Sequence, residues 1–229
     1  MTSPSGSIRT TVTAARLDDE VSRIRESKFP VDDSALQDIH DRIRILQNRI
    51  SETKIPPSHT SIPELRFGML GNSALDAHNF KLSGQVYPGN TQFEAICTAE
   101  IFRLALHIYV ARIIYDPLTT GNSASEIRAW VTEALELLPK VSDTIGPGIF
   151  LGWALVVIGS EVDNISERNF IKQRLQSLEL LAFNQGATAI RVLEEVWGRK
   201  DSVKRGDAVG KKTRWQEVML NMAVDIALM

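Results

Sequence analysis

One cysteine, Cys97, is the whole sulfhydryl complement of these 229 residues. That excludes an internal disulfide framework and any Cys-rich zinc module, and it suits a reducing compartment. A second scarcity is net charge: 26 Lys and Arg stand against 28 Asp and Glu, leaving −2. A near-neutral chain has no global field to attract nucleic acid. Long apolar runs are also missing. The longest, from Ile149 to Gly159 in IFLGWALVVIGSEVDN, falls well short of the about 20 residues a membrane span requires. The first residues, MTSPSGSIRTTVTAARLDDE, have no apolar h-region and turn acidic early, so they do not read as a secretory signal. The expected location is the nucleus or cytoplasm.

Catalytic signatures are equally sparse. There is no Gly-rich phosphate loop, no GxSxG elbow and no HExxH pair. The four histidines, His40, His59, His78 and His107, share no ligand spacing, so no metal site and no cofactor are expected.

Helical periodicity, by contrast, is abundant. Residues 1–12 are Ser, Thr, Gly and Pro with little to bury, and read as a disordered N-terminus. Leu17, Val21 and Ile24 then form a short stripe. In DDSALQDIHDRIRILQNRISETK the apolar positions are Leu36, Ile39, Ile43, Leu46 and Ile50, a 3-4 alternation running for about two heptads. Two readings fit that spacing: an amphipathic helix packed on its own domain, or a dimer seam across residues 32–54. Residues 55–90 are punctuated by Pro and Gly, with a short helix expected from Pro63 to Leu75.

From Thr91 the segment TQFEAICTAEIFRLALHIYVARIIY is apolar around most of its circumference and reads as a buried central helix. Capping-box patterns at Thr91/Glu94, Ser123/Glu126, Asn164/Glu167 and Thr213/Gln216 each precede a helical run. No segment alternates with period two. The expected class is all-α, a multi-helix orthogonal bundle with antiparallel helix pairs. Its expected divisions are residues 1–12, 13–90 (N-terminal helices and connector) and 91–229 (the helical domain).

Candidate site residues follow from polar groups in apolar settings. His107 lies in the most apolar helix with Arg103 one turn earlier on the same face, and Tyr109 lies on another face. Each reads two ways, as a satisfied core group or as a polar group in a greasy cavity, which is how ligand pockets are built. Glu161, past the apolar run, reads as a partner for Arg168 or Arg174, or as an acid–base candidate. Trp153 and Trp197 lie among aliphatics at helical positions, as core or as ligand wall. The basic stretch GRKDSVKRGDAVGKKTR holds seven Lys/Arg and two Asp. With no aromatic residue interleaved it reads as a solvated interhelical loop.

The order of these features resembles a known family. FRLALHIYVARIIYDPL, a leucine-rich helix reaching LLPKV, IFLGWALVVIGSEVDNISERNFIKQRL and RWQEVMLNMAVDIALM succeed one another. That succession resembles the C-terminal half of the regulatory (middle-homology, ligand-sensing) domain of fungal zinc-cluster transcription factors. Trp153 matches that family's tryptophan, Gly159 its glycine and Glu161 its acidic position. Arg168 opens the next helix, Trp197 closes the following one and Trp215 opens the last. Ala154 stands where the family has proline. The resemblance covers residues 91–229.

That resemblance implies a regulatory domain, able in some members to sense apolar small molecules. Those factors hold two zinc ions with six cysteines in a DNA-binding module, and one cysteine cannot do so. Direct DNA binding is therefore not expected if these residues are the whole protein. Two functions fit. One is a stand-alone regulatory domain that binds an apolar molecule, a DNA-binding protein or a second copy through residues 32–54. The other is a metal-free, cofactor-free cyclase or isomerase of secondary metabolism, of the pericyclase or Diels–Alderase kind, reusing the apolar pocket. Ligand contacts then fall to Trp153 and Arg103, and catalysis to His107, Glu161 or Tyr109.

Overall fold

The computed structural model describes residues 13–21, 23, 33–52, 91–114, 122–143, 146–179, 185–206 and 214–224. The N-terminal tail, the Pro63–Leu75 helix, His59 and His78 lie outside these described residues. Within them the elements are α1 (13–21), α2 (Asp33–Glu52), α3 (Thr91–Ile114) and α4 (Asn122–Leu137). Two 3₁₀ turns follow, Leu138–Lys140 and Gly146–Phe150, then α5 (Gly152–Gly159), α6 (Ile165–Glu179), α7 (Gly186–Arg205) and α8 (Trp215–Asn221). No strand occurs among the described residues, and the chain is an all-α bundle.

The central position of α3 follows from its composition. Ile101, Leu104, Ala105, Ile108, Val110 and Ile113 are fully buried and point to several sides of the helix. A helix apolar all round must be covered all round, and α2, α4, α5 and both 3₁₀ turns pack on α3.

The 3-4 stripe of α2 faces inward. Ile39, Ile43, Leu46 and Ile50 belong to the same core as α3, so the seam is spent within the chain. Burying each such side chain stabilises the fold by about 1.5–3 kcal/mol. Ala14, Leu17 and Val21 put α1 into that core too. Arg42 ties α2 to α1 through a two-pronged pair with Glu20, at 3.1 and 2.9 Å.

The apolar run that opens at Ile149 is not one long helix. It begins in the 3₁₀ turn and continues as the short α5, with residues 154–160 all buried. Gly148 allows that tight entry. A Cβ there would lie 2.0 Å from the Ser142 carbonyl oxygen, so only glycine fits. Arg174, itself buried, holds the same corner by donating to the Val141 carbonyl at 2.9 Å, with Asp143 at 3.7 Å. Burial lowers its pKa, opposed by Asp143 and Glu94.

The basic stretch expected as a loop is helical through Arg205. Its polar side chains are engaged: Arg168 grips Asp201 at 2.6 and 2.8 Å, and Lys204 reaches Asp163 at 3.1 Å. These contacts to the α5–α6 region hold the last turns in place. Gly206, at φ +79°, supplies the left-handed stop.

Candidate functional site

α3 carries Phe102, Arg103, His107, Tyr109 and Arg112, and they divide among three environments: Phe102 with Tyr109, His107 with Arg103, and Arg112 apart. The Tyr109 ring meets Trp153 of α5 edge-on, centroids 5.7 Å apart, and Trp215 of α8 at 6.4 Å. Trp153 in turn stacks on Phe102 at 6.3 Å. Phe102, Trp153 and Trp215 are half-buried, so the group forms an aromatic wall between core and surface.

At one end of that wall sits a buried carboxylate. The Tyr109 hydroxyl donates to Asp18 Oδ2 at 2.9 Å, Arg214 Nη2 donates to Asp18 Oδ1 at 2.5 Å, and Gln216 Nε2 donates to Asp18 Oδ2 at 3.2 Å. Burial first, and Asp18 second, raise the Tyr109 phenol well above its ordinary pKa. The hydroxyl therefore stays protonated and donating. Gln216 has the spacing of a capping-box partner to Thr213, but its amide goes to Asp18 instead. α8 begins at Trp215, with Arg214 extended before it.

His107 and Arg103 form a second environment. His107 is 5% exposed and stacks on Trp130 of α4, centroids 5.0 Å apart. Burial, and then the Arg103 charge, lower its pKa from 6.5 to about 4. The imidazole is neutral near pH 7. Arg103 pairs with Glu100 on its own helix, Nε to Oε2 at 2.8 Å and Nη2 to Oε1.

Glu161 belongs to a third. Its carboxylate takes a two-pronged grip from Arg112, Nε to Oε1 at 2.7 Å and Nη2 to Oε2. Lys200 Nζ stands 3.8 Å away and donates to the Ser160 carbonyl at 2.5 Å. Burial lowers the Lys200 pKa against the pull of Glu161 and Asp163. Trp197 Nε1 donates to the Gly159 carbonyl at 2.8 Å. The end of α5 is thus covered by an indole and a cation, both favourable at the negative pole of a helix.

The partners expected for Glu161, Arg168 and Arg174, are committed elsewhere. Arg168 pairs with Asp201 and lies over the Trp197 ring at 5.4 Å.

Of the sequence candidates, Tyr109 and Trp153 meet, His107 and Arg103 sit within one electrostatic neighbourhood, and Glu161 keeps its own partners. Sequence reasoning passes over Asp18, Trp130, Arg112, Arg214 and Gln216. Asp18 does leave a signal. It lies four residues after Ala14, on the buried stripe of α1, where a carboxylate demands partners.

Among the described residues no helix is long and apolar enough to cross a membrane, and no group of His, Cys, Asp and Glu is placed to hold a metal ion. No curated protein and no solved structure matched the chain. A family model described as the fungal specific transcription factor domain matches residues 12–229, carrying the likeness seen over residues 91–229 back through α1 and α2. By that match, which spans nearly the whole sequence, this chain belongs to the fungal specific transcription factor domain family.

Proposed function

We propose that this chain is a regulatory domain that takes up an apolar small molecule against its aromatic wall and conveys the event to a DNA-binding protein, with no chemistry of its own. The observation that carries this reading is the wall itself. The half-buried Phe102, Trp153 and Trp215 and the buried Tyr109 associate ring to ring at 5.7 to 6.4 Å, beside a small set of placed polar groups. Apolar walls with a few convergent polar atoms are the usual make-up of a small-molecule site.

The ionisable side chains point the same way. Glu161 is gripped by Arg112, Arg103 by Glu100, and the Tyr109 hydroxyl is committed to Asp18. Groups so engaged serve the fold, within one helix or between helices, whereas an acid or base must exchange its proton with a substrate. The cyclase reading would need a donor such as His107, Tyr109 or Trp153 to polarise a substrate. Tyr109 already donates elsewhere, and His107 lies stacked on Trp130. The setting for regulation of this kind is the nucleus, with delivery from the cytoplasm equally compatible.

The test fuses the chain to a heterologous DNA-binding module and reads a reporter gene across a panel of apolar compounds. Binding is followed in parallel by tryptophan fluorescence of the purified chain. Reporter output should move with at least one compound, and Trp153→Ala should blunt both that response and the fluorescence change. Output fixed at the level of the DNA-binding module alone, together with no saturable fluorescence change, would overturn the reading.

A further inference from the structure

Asp18 is held as a bound ligand would be held. A guanidinium, a phenol and a side-chain amide, from Arg214, Tyr109 and Gln216, converge on its two oxygens at 2.5, 2.9 and 3.2 Å. A cationic fork backed by neutral donors is a strong and geometrically selective way to hold a carboxylate. The donors come from α3 and from the start of α8, whereas the carboxylate comes from α1. Arg214 Nε, buried and with no hydrogen-bond partner among the described residues, is a further donor in the same place. The wall of Trp153 and Trp215 begins at Tyr109, the residue that bonds the carboxylate.

We propose that this cradle is a carboxylate-binding site occupied by the chain's own Asp18, and that its external ligand is a small organic acid with an apolar body. The inference rests on the reading that an apolar molecule enters at the aromatic wall, and it names that molecule's polar end. Exchanging one carboxylate for another conserves the ion pair and the hydrogen bonds, so what the ligand must offset is the loss of its own freedom on binding. The ligand's apolar body adds burial against Trp153, Trp215 and Phe102, for which a single methylene has no surface. Displacing Asp18 also removes the polar tie between α1 and α8. Occupancy is thereby converted into a looser α1, a change a partner protein can read.

Chemical rescue tests the cradle. Asp18→Ala removes the internal occupant, and its melting temperature is compared in acetate and in chloride at equal ionic strength. Acetate should raise it while leaving the unsubstituted chain unchanged, and equal melting in the two salts overturns the site. Should Asp18→Ala fail to fold, Asp18→Asn carries the second measurement. Here 2-naphthoate and decanoate are titrated beside their methyl esters, with tryptophan fluorescence as readout. The acids should bind Asp18→Asn about tenfold tighter than the unsubstituted chain, because the like-charged competitor is gone, while the esters bind both alike.

Acids and esters that bind Asp18→Asn equally well would overturn the carboxylate site and leave the apolar-ligand reading standing. No saturable binding of any of the four would overturn the carboxylate site, and the reporter panel then decides the broader reading separately. Amide exchange across residues 13–21 should quicken when an acid binds the unsubstituted chain. Unchanged exchange with acid bound would overturn the displacement.

Discussion

Arg214 Nη2 donates to Asp18 Oδ1 at 2.5 Å, joining two residues 196 positions apart in the chain. Their side chains are 15% and 10% exposed, so the pair is largely shielded from water. Removing one partner of such a pair leaves the other charged, desolvated and unmatched. Asp18→Ala should therefore cost about 3–5 kcal/mol of unfolding free energy. Asp18→Asn retains an acceptor for Tyr109 and should cost less. Urea denaturation followed by circular dichroism measures both. A loss under about 1 kcal/mol for Asp18→Ala would place the contact with ordinary surface pairs.

His107 gives the fold a pH dependence of definite sign. Its pKa falls from 6.5 unfolded to about 4 folded, through burial and then the Arg103 charge. Between those two values the unfolded chain takes up a proton that the folded chain refuses. Acidification through that window therefore favours unfolding, by up to roughly 3 kcal/mol once the lower value is reached. His107→Phe keeps a flat ring against Trp130 and removes the proton site. The urea midpoint of the unsubstituted chain should fall steadily relative to that of His107→Phe from pH 6.5 towards pH 4. Parallel midpoint curves would show that His107 does not titrate in this way.

Local rules make the helices legible in the sequence itself. Capping residues mark the starts of α3 and α6, and Asn164 does accept the Ser166 N–H at 2.9 Å. The reach of the helices is less legible, because composition does not reveal tertiary partners. Glu167 has the spacing to cap α6, yet it is taken by Arg128 of α4 at 3.0 and 2.6 Å. The polar end of α7 reads as loop until Asp201 and Lys204 are known to pair with Arg168 and Asp163. The candidate site shows the same division. Tyr109 and Trp153 stand out as polar or aromatic groups in apolar helices. Asp18 and Arg214 lie too far apart in sequence for any spacing rule to join them.

Glu161 separates a structural role from a chemical one. Arg112 grips it with both nitrogens of the fork, and Lys200 stands 3.8 Å away. Glu161→Gln keeps the shape and removes the charge, leaving two largely shielded cations beside a neutral amide. The expected cost is about 2–4 kcal/mol, within the range for breaking a shielded pair. If the residue serves the fold alone, ligand affinity measured by tryptophan fluorescence should be unchanged at temperatures where the variant remains folded. A variant as stable as the parent but unable to bind would reverse that assignment.

Two glycines at helical positions should respond in opposite directions to the same substitution. At Gly159, the last residue of α5, a Cβ would lie 2.9 Å from Ile171 Cγ2 and 2.9 Å from Leu193 Cδ1. Those atoms belong to fully buried side chains of α6 and α7, which have little room to retreat. Gly159→Ala should therefore destabilise by about 1–3 kcal/mol, the usual cost of overpacking a filled core. At Gly198, inside α7, a Cβ meets nothing within 4 Å. Gly198→Ala lowers the conformational entropy of the unfolded chain and should stabilise by about 0.5–1 kcal/mol. Urea unfolding of the two variants side by side reads the contrast. A neutral Gly159→Ala would mean that α5 can slide away from α6 and α7. The indole of α7 would report such a slide directly, since Trp197 Nε1 is bonded to the Gly159 carbonyl itself.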